Sequence, residues 1–210
     1  MSIRGYFITL EGGEGTGKST LIAGLAEALQ SRNIDVVQTR EPGGTVLAER
    51  IRSLALNPPE NQTWSPLAHA LLMNTARDDH LQKLIRPALE RGRWELCDRF
   101  SDSTRAYQSV DGLRMETLIM LEKMVLAQTS PDLTLVLDGD PASLINRRET
   151  RGTRDVFEDK DLDFHTHIRD TFLNIANGAP ERCAIINAEQ SPGQVLAQAL
   201  NVIDDRLSGA

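Results

Sequence analysis

Gly12, Gly13, Glu14, Gly15, Thr16, Gly17, Lys18 and Ser19 follow the pattern G-x-x-x-x-G-K-[ST], and Thr20 carries it into a helical stretch. This combination is built to hold phosphate. Glycine reaches positive φ and lets backbone N–H groups approach anionic oxygens without a Cβ in the way, and the helix that follows adds its positive end. Lys18 supplies a full charge and Ser19 a hydroxyl for a magnesium ion. Residues 12–20 are therefore expected to bind a nucleotide's phosphates. That leaves kinase, GTPase, motor and regulatory ATPase open. The guanine-reading sequence N-K-x-D does not occur, so ATP is the expected nucleotide.

Two further clusters carry arginine and acid: Arg40-Glu41-Pro42-Gly43-Gly44-Thr45 and Asp98-Arg99-Phe100-Ser101-Asp102-Ser103-Thr104. Each follows a short apolar run. In an open parallel sheet ligands bind outside the carboxyl ends of the strands, so Arg40, Asp98 and Arg99 should converge on the phosphate loop. Taken singly, a loop arginine is usually one half of a surface ion pair; the shared position beside the phosphate loop is what favours a site.

The elements that must position these residues are legible as alternating apolar runs and helical patterns. Tyr6 to Leu10, Asp35 to Thr39, Trp94 to Cys97, Leu133 to Leu137 and Cys183 to Ile186 are β-prone runs separated by long helical segments. They predict an α/β chain with a five-stranded parallel sheet flanked by helices. Leu21, Ile22, Leu25 and Leu29 mark the buried face of the first helix. Ser65-Pro66, Asp140-Pro141 and Ser191-Pro192 each place a capping side chain before an N1 proline, and Ser191 with Gln194 spells a capping box. Asn57 to Asn61 and the charged run Glu149 to Asp161 are the expected mobile segments.

A length of 210 residues with 40% hydrophobic and 25% charged residues fits one globular domain. The formal net charge of −7 argues against a surface that tracks a nucleic-acid backbone. No apolar run is long enough for a membrane span and the N-terminus lacks signal-peptide architecture, so the expected location is the cytoplasm. Cys97 and Cys183 lie in separate apolar strands and read as buried thiols. His165 and His167, two apart on a helical pattern with no cysteine cluster, are not read as metal ligands.

The phosphate loop, the run REPGGT at 40–45, DRFSDST at 98–104 and AYQ at 106–108 together resemble the thymidylate kinase family, across nearly the whole chain. The resemblance implies a P-loop kinase fold, one nucleoside-monophosphate kinase domain over 1–210, and transfer of the ATP γ-phosphoryl group to thymidine monophosphate with Mg²⁺. It places Arg40 and Arg99 on the acceptor phosphate, Arg52 in a helix lining the same site, and Glu11 near the acceptor sugar's 3′-hydroxyl. Glu11 can equally pair with an arginine. Asp98 would support magnesium or else pair with Arg99. An acceptor that is itself a phosphate has a second pKa near ~6 and needs no general base, so the protein's task is to offset repulsion between two polyanions.

Gln108 can complement the N3 donor and O4 acceptor of thymine, and Arg77, donor-only, donates to O4 of thymine but faces the 4-amino group of cytosine with another donor. Ser103 contributes nearby, and Tyr107 either crowds a ribose 2′-hydroxyl or packs in the core. Met73 stands where the family usually has a phenylalanine stacked on thymine; it is either a more adaptable platform or helix core.

Arg147, Arg148, Arg151 and Arg154 cluster in the lid segment, about 147–161. A run of this kind is also the pattern of a solvated face. The phosphate loop carries no arginine at its variable positions, which resembles the bacterial class whose lid arginines close over ATP, with Arg151 and Arg154 as candidate catalytic groups. Arg154 precedes Asp155, the reverse of the order in many relatives. Asn187 to Gln190 is expected near the adenine, and a homodimer through helices between Pro66 and Leu126 follows from the same resemblance. An ATP-dependent switch that binds a protein partner, and a kinase acting on a nucleoside or another monophosphate, are the alternative readings.

Overall fold

A computed structural model describes residues 4–60, 62–144 and 161–207. The lid arginines, with most of the segment Glu149 to Asp161, lie outside the described residues, as does Asn61. Five strands, β1 (Phe7–Gly12), β2 (Val36–Arg40), β3 (Trp94–Asp98), β4 (Leu133–Asp138) and β5 (Cys183–Asn187), form one parallel sheet in the order β2-β3-β1-β4-β5. Every strand predicted from its apolar run is present, most of them extended by a polar residue at the carboxyl end. Those added residues, among them Gly12, Arg40 and Asp98, sit where a ligand would meet the sheet.

Helix α1 (Lys18–Ser31) buries Leu21, Ile22, Leu25 and Leu29, one stripe at helical spacing, against Ile8, Leu10 and Leu96. Val195, Ala199 and Ile203 of the C-terminal helix α8 (Pro192–Leu207) share this core on the same sheet face. The opposite face is covered by two clusters. Leu81, Ile85 and Leu89 pack on Phe7, Cys97 and Phe100, while Ala106 and Tyr107 of α5 (Ser101–Val110) meet Ile168 and Phe172 of α7 (Leu162–Gly178). Between β2 and β3 run α2 (Val46–Leu56), α3 (Pro66–His80), a π-helical turn (Leu81–Ile85) and the short α4 (Arg86–Glu90); α6 (Met115–Leu126) precedes β4. Because β1 and β2 are consecutive in the chain but β3 lies between them, connections leave β1 and β3 on opposite sides. That opens a crevice at their carboxyl ends.

Ser65 Oγ accepts from Ala68 N at 3.2 Å and Asp140 Oδ2 from Ser143 N at 3.0 Å, the expected caps. The box at Ser191 closes by half: Gln194 Oε1 accepts from Ser191 N at 3.2 Å and from Ser191 Oγ at 2.7 Å, which turns the serine hydroxyl into a donor. Both cysteines are buried free thiols.

Glu95 in β3 is fully buried, and neither carboxyl oxygen has a hydrogen-bond partner among the described residues. Burial pushes its pKa up to about 8 against the opposing pull of Arg93, so the carboxyl is largely protonated in the fold at neutral pH. A carboxyl raised in the folded state stabilises fully below its unfolded pKa, and that contribution is lost as pH climbs toward about 8. Glu95→Gln should therefore gain on the wild type, by at most about 1.4 kcal/mol per pH unit, between pH 5 and 8 in urea unfolding. Parallel stability curves for the two proteins would refute the assignment.

Candidate active site

The turn from β1 into α1 is shaped by close approach. Gly12 has φ 136°, and a Cβ there would stand 2.5 Å from the carbonyl oxygen of Leu137. Gly17 caps α1 in the left-handed region at φ 90°. Lys18 curls over the loop, its Nζ donating to Gly13 O at 2.8 Å and Gly12 O at 3.1 Å. Burial, with the Arg99 charge second, pulls its pKa down to about 8. Ser19 Oγ donates to Asp98 Oδ2 at 2.9 Å, which brings the two candidate magnesium-supporting residues together across β1 and β3. Two hard oxygens beside a phosphate loop fit a Mg²⁺ ion that takes its remaining ligands from water and phosphate.

Arg99 is the centre of the crevice. Its backbone is left-handed, φ 67°, an uncommon conformation for a residue with a Cβ. Nη1 donates to Gly12 O at 3.0 Å and Ser103 Oγ at 3.1 Å, and Nη2 to Glu14 Oε1 at 2.7 Å. The guanidinium also lies 5.2 Å from the centroid of the Tyr107 ring. Tyr107 OH donates to Glu14 Oε1 at 2.9 Å, and burial pushes its pKa well up, which keeps it a neutral donor. Its ring also joins the α5–α7 core beside Phe172, as the packing reading of this tyrosine expects.

A cavity of about 620 Å³ opens on this group. Its walls include Arg52, Met73, Arg77, Arg99, Ser103, Tyr107 and Gln108, seven of the residues expected around an acceptor nucleotide. They come from α2, α3 and α5 and from the turn after β3. Met73 borders the cavity and at 9% exposure also belongs to the buried core. Gln108 Nε2 and His69 Nδ1 lie 3.4 Å apart behind it.

Two expected members are placed elsewhere. Glu11 is fully buried and does not line the cavity. Its Oε1 accepts from Phe100 N at 2.8 Å, and its Oε2 from Ser103 Oγ at 2.6 Å. It caps the free N–H groups at the start of α5, a position for which Phe100 offers no side-chain acceptor. Burial and the neighbouring Asp102 charge push its pKa up to about 7. The acids that do line the cavity are Glu14, expected only among the loop residues, and Glu41. Arg40 turns outward onto Glu49, 3.2 Å away, with 57% of its side chain exposed. It ends β2 where Glu49, one turn into α2, is the nearest partner. Arg52 donates to Pro42 O at 2.9 Å and remains on the cavity wall.

On the far side of the phosphate loop, Gly15, Thr16, Gly17 and Thr20 border a second, open cavity of about 1020 Å³, bounded across from them by Ala188 to Pro192. The segment expected near an adenine is thus beside the loop. The arginine-lined cavity and this second space thus border the phosphate loop through different residues, Glu14 in the one and Gly15 to Gly17 in the other.

A family model described as Thymidylate kinase matches residues 10–199. The chain belongs to the thymidylate kinase family. It is 47% identical over 205 residues to a thymidylate kinase of Caulobacter vibrioides, covering 97% of this chain and 98% of that one. It is 46% identical over 206 residues to one of Rhizorhabdus wittichii, covering 97% and 99%. A crystal structure of thymidylate kinase from Ehrlichia chaffeensis superposes with a TM-score of 0.79 at 32% identity, over 95% of this chain and 99% of that one. Within this thymidylate kinase framework, sequence reasoning missed Glu41, His80 and Thr104. Glu41 and Thr104 line the cavity, and His80 is buried behind Glu41. Their only trace in the sequence is membership of the REPGGT and DRFSDST runs or helical spacing from Arg77.

Proposed function

We propose that this protein transfers the γ-phosphoryl group of ATP to thymidine monophosphate, with Lys18, Arg99 and the lid arginines Arg151 and Arg154 as the cationic machinery. The cavity lined at once by Arg99 and by Arg77 with Gln108 carries the reading, because a nucleotide has an anionic end and a hydrogen-bonding base. ATP lies along residues 12–20, its adenine toward 188–191. The acceptor phosphate meets Arg99 and Arg52, and Arg40 reaches it by leaving Glu49.

Transfer forms a bond between an acceptor phosphate oxygen and Pγ, and breaks the bond from Pγ to the β,γ-bridging oxygen, which leaves with ADP. No proton moves, since the acceptor oxygen is already ionised. Lys18 and Arg99 hold the two phosphates in line and offset their mutual charge. Ser19 and Asp98 would hold Mg²⁺, which when bound supplies positive charge to the β- and γ-phosphate oxygens. Glu14, fixed by Arg99 and Tyr107, faces the acceptor sugar.

The chain is read as a single nucleoside-monophosphate kinase domain acting in the cytoplasm. Among the described residues no helix is long and apolar enough to cross a membrane. A homodimer is supported by Leu67 and Leu71 on α3 and Met120 and Met124 on α6, all large, apolar and exposed. Coupled ADP release across a panel of monophosphates tests the activity. Fast turnover confined to the thymidine and deoxyuridine compounds is expected; ATP hydrolysis that ignores every monophosphate would favour the switch reading.

A further inference from the structure

We propose that Glu41, seated by His80 and Thr39, is a positioning residue that confines Arg77 to one outward hydrogen-bond donor and so sets which base the acceptor cavity takes. This rests on the reading of that cavity as the acceptor's base site.

The Arg77 and Glu41 side chains are each 3% exposed. A guanidinium carries five N–H donors. Arg77 Nε donates to Glu41 Oε2 at 2.7 Å and Nη1 to Asn74 Oδ1 at 3.1 Å; Nη2 donates to Phe100 O at 3.1 Å and Thr104 Oγ1 at 2.9 Å. Four donors are engaged, which leaves one hydrogen on Nη1, in a residue that forms part of the cavity wall. An arginine with its charge uncompensated and its fork open would compete for the acceptor's phosphate. Here Glu41 offsets the charge and the fork is closed. What remains is one donor suited to a carbonyl oxygen. A 4-oxo pyrimidine satisfies it, whereas a 4-amino group sets donor against donor.

The second oxygen of Glu41 is held as firmly. His80 is fully buried, with Nδ1 3.0 Å from Glu41 Oε1 and Nε2 2.7 Å from Thr39 Oγ1. A carboxylate only accepts, so Nδ1 carries the proton, and Thr39 on β2 anchors the far side of the ring. Glu41 therefore cannot swing without breaking bonds to both α3 residues at once. The chain of contacts ties the direction of one arginine hydrogen to the edge of the sheet.

Steady-state kinetics of the full chain with dTMP and dCMP as acceptors test this with His80→Leu, Thr39→Val and His80→Asn; asparagine keeps an amide donor near the Nδ1 position. His80→Leu should raise KM for dTMP about tenfold, leave KM for ATP within about twofold, and narrow the dTMP-over-dCMP ratio of kcat/KM about tenfold, the effect of one buried hydrogen bond. His80→Asn should recover most of the ratio. The Arg77 Nε–H NMR resonance, assigned by its loss in Arg77→Lys, should shift in Thr39→Val without substrate present, which carries the test even if His80→Leu fails to fold. An unchanged acceptor ratio in the folded variants, a parallel rise in KM for ATP, or an unmoved Arg77 resonance overturns the proposal. A wild type that ignores dTMP would instead refute the acceptor reading.

Discussion

Arg99→Ala should lower kcat/KM for the acceptor about 10³-fold while ATP affinity stays within about twofold. The guanidinium joins the phosphate loop, through Gly12 O and Glu14, to the acceptor cavity, through Ser103 and the Tyr107 ring. In the proposed reaction it would offset charge where the two phosphates come closest, so its loss would be felt in the transition state more than in either binary complex. Alanine and arginine bear a similar cost, about 1–2 kcal/mol, for the left-handed backbone at φ 67°, so strain does not confound the comparison. Arg99→Lys, with charge but no planar fork, should fall between. Initial rates with dTMP varied at saturating ATP, beside calorimetric titration of ATP alone, separate the two effects. Equal losses for acceptor and ATP would move Arg99 out of the role assigned to it.

Lys18→Ala should reduce kcat about 10²–10³-fold for every acceptor, since the missing charge belongs to the donor's phosphates. The wild-type lysine also makes a pH prediction. Burial and Arg99 hold its pKa down to about 8 without nucleotide, and bound phosphate favours the charged form. Below about pH 8 Lys18 is already protonated and ATP binds without proton uptake. Above it, binding must draw in a proton, and the apparent Kd for ATP should rise toward tenfold per pH unit. Lys18→Arg, always charged, should flatten that rise. Calorimetry in buffers of differing ionisation enthalpy counts the protons directly, and no uptake at pH 9 would refute the lowered pKa.

The phosphate loop, all five strands and the helices that cover them could be read from residue order because their causes are local. Glycine spacing sets the loop, apolar runs set the strands, and a Ser-Pro pair starts a helix within four residues of itself. The same locality makes Arg99, Ser19 and Asp98 predictable, since each sits at a strand's carboxyl end or the first turn beyond it. Glu11 and Glu14 differ in this respect. They are three residues apart in one glycine-rich run, and nothing in the run says which faces a ligand. Glu11 stays inside because β1 passes under the start of α5, whose free N–H groups need an acceptor, while Glu14, beyond the turn at Gly12, projects to Arg99 and Tyr107. Arg40 and Arg77 show the same dependence with opposite outcomes. One found an exposed carboxylate nine residues on and turned outward; the other met Glu41 across 36 residues and was locked inside. Which partner a charged side chain finds depends on chain crossings between distant segments, and only burial decides how strongly that partner holds it.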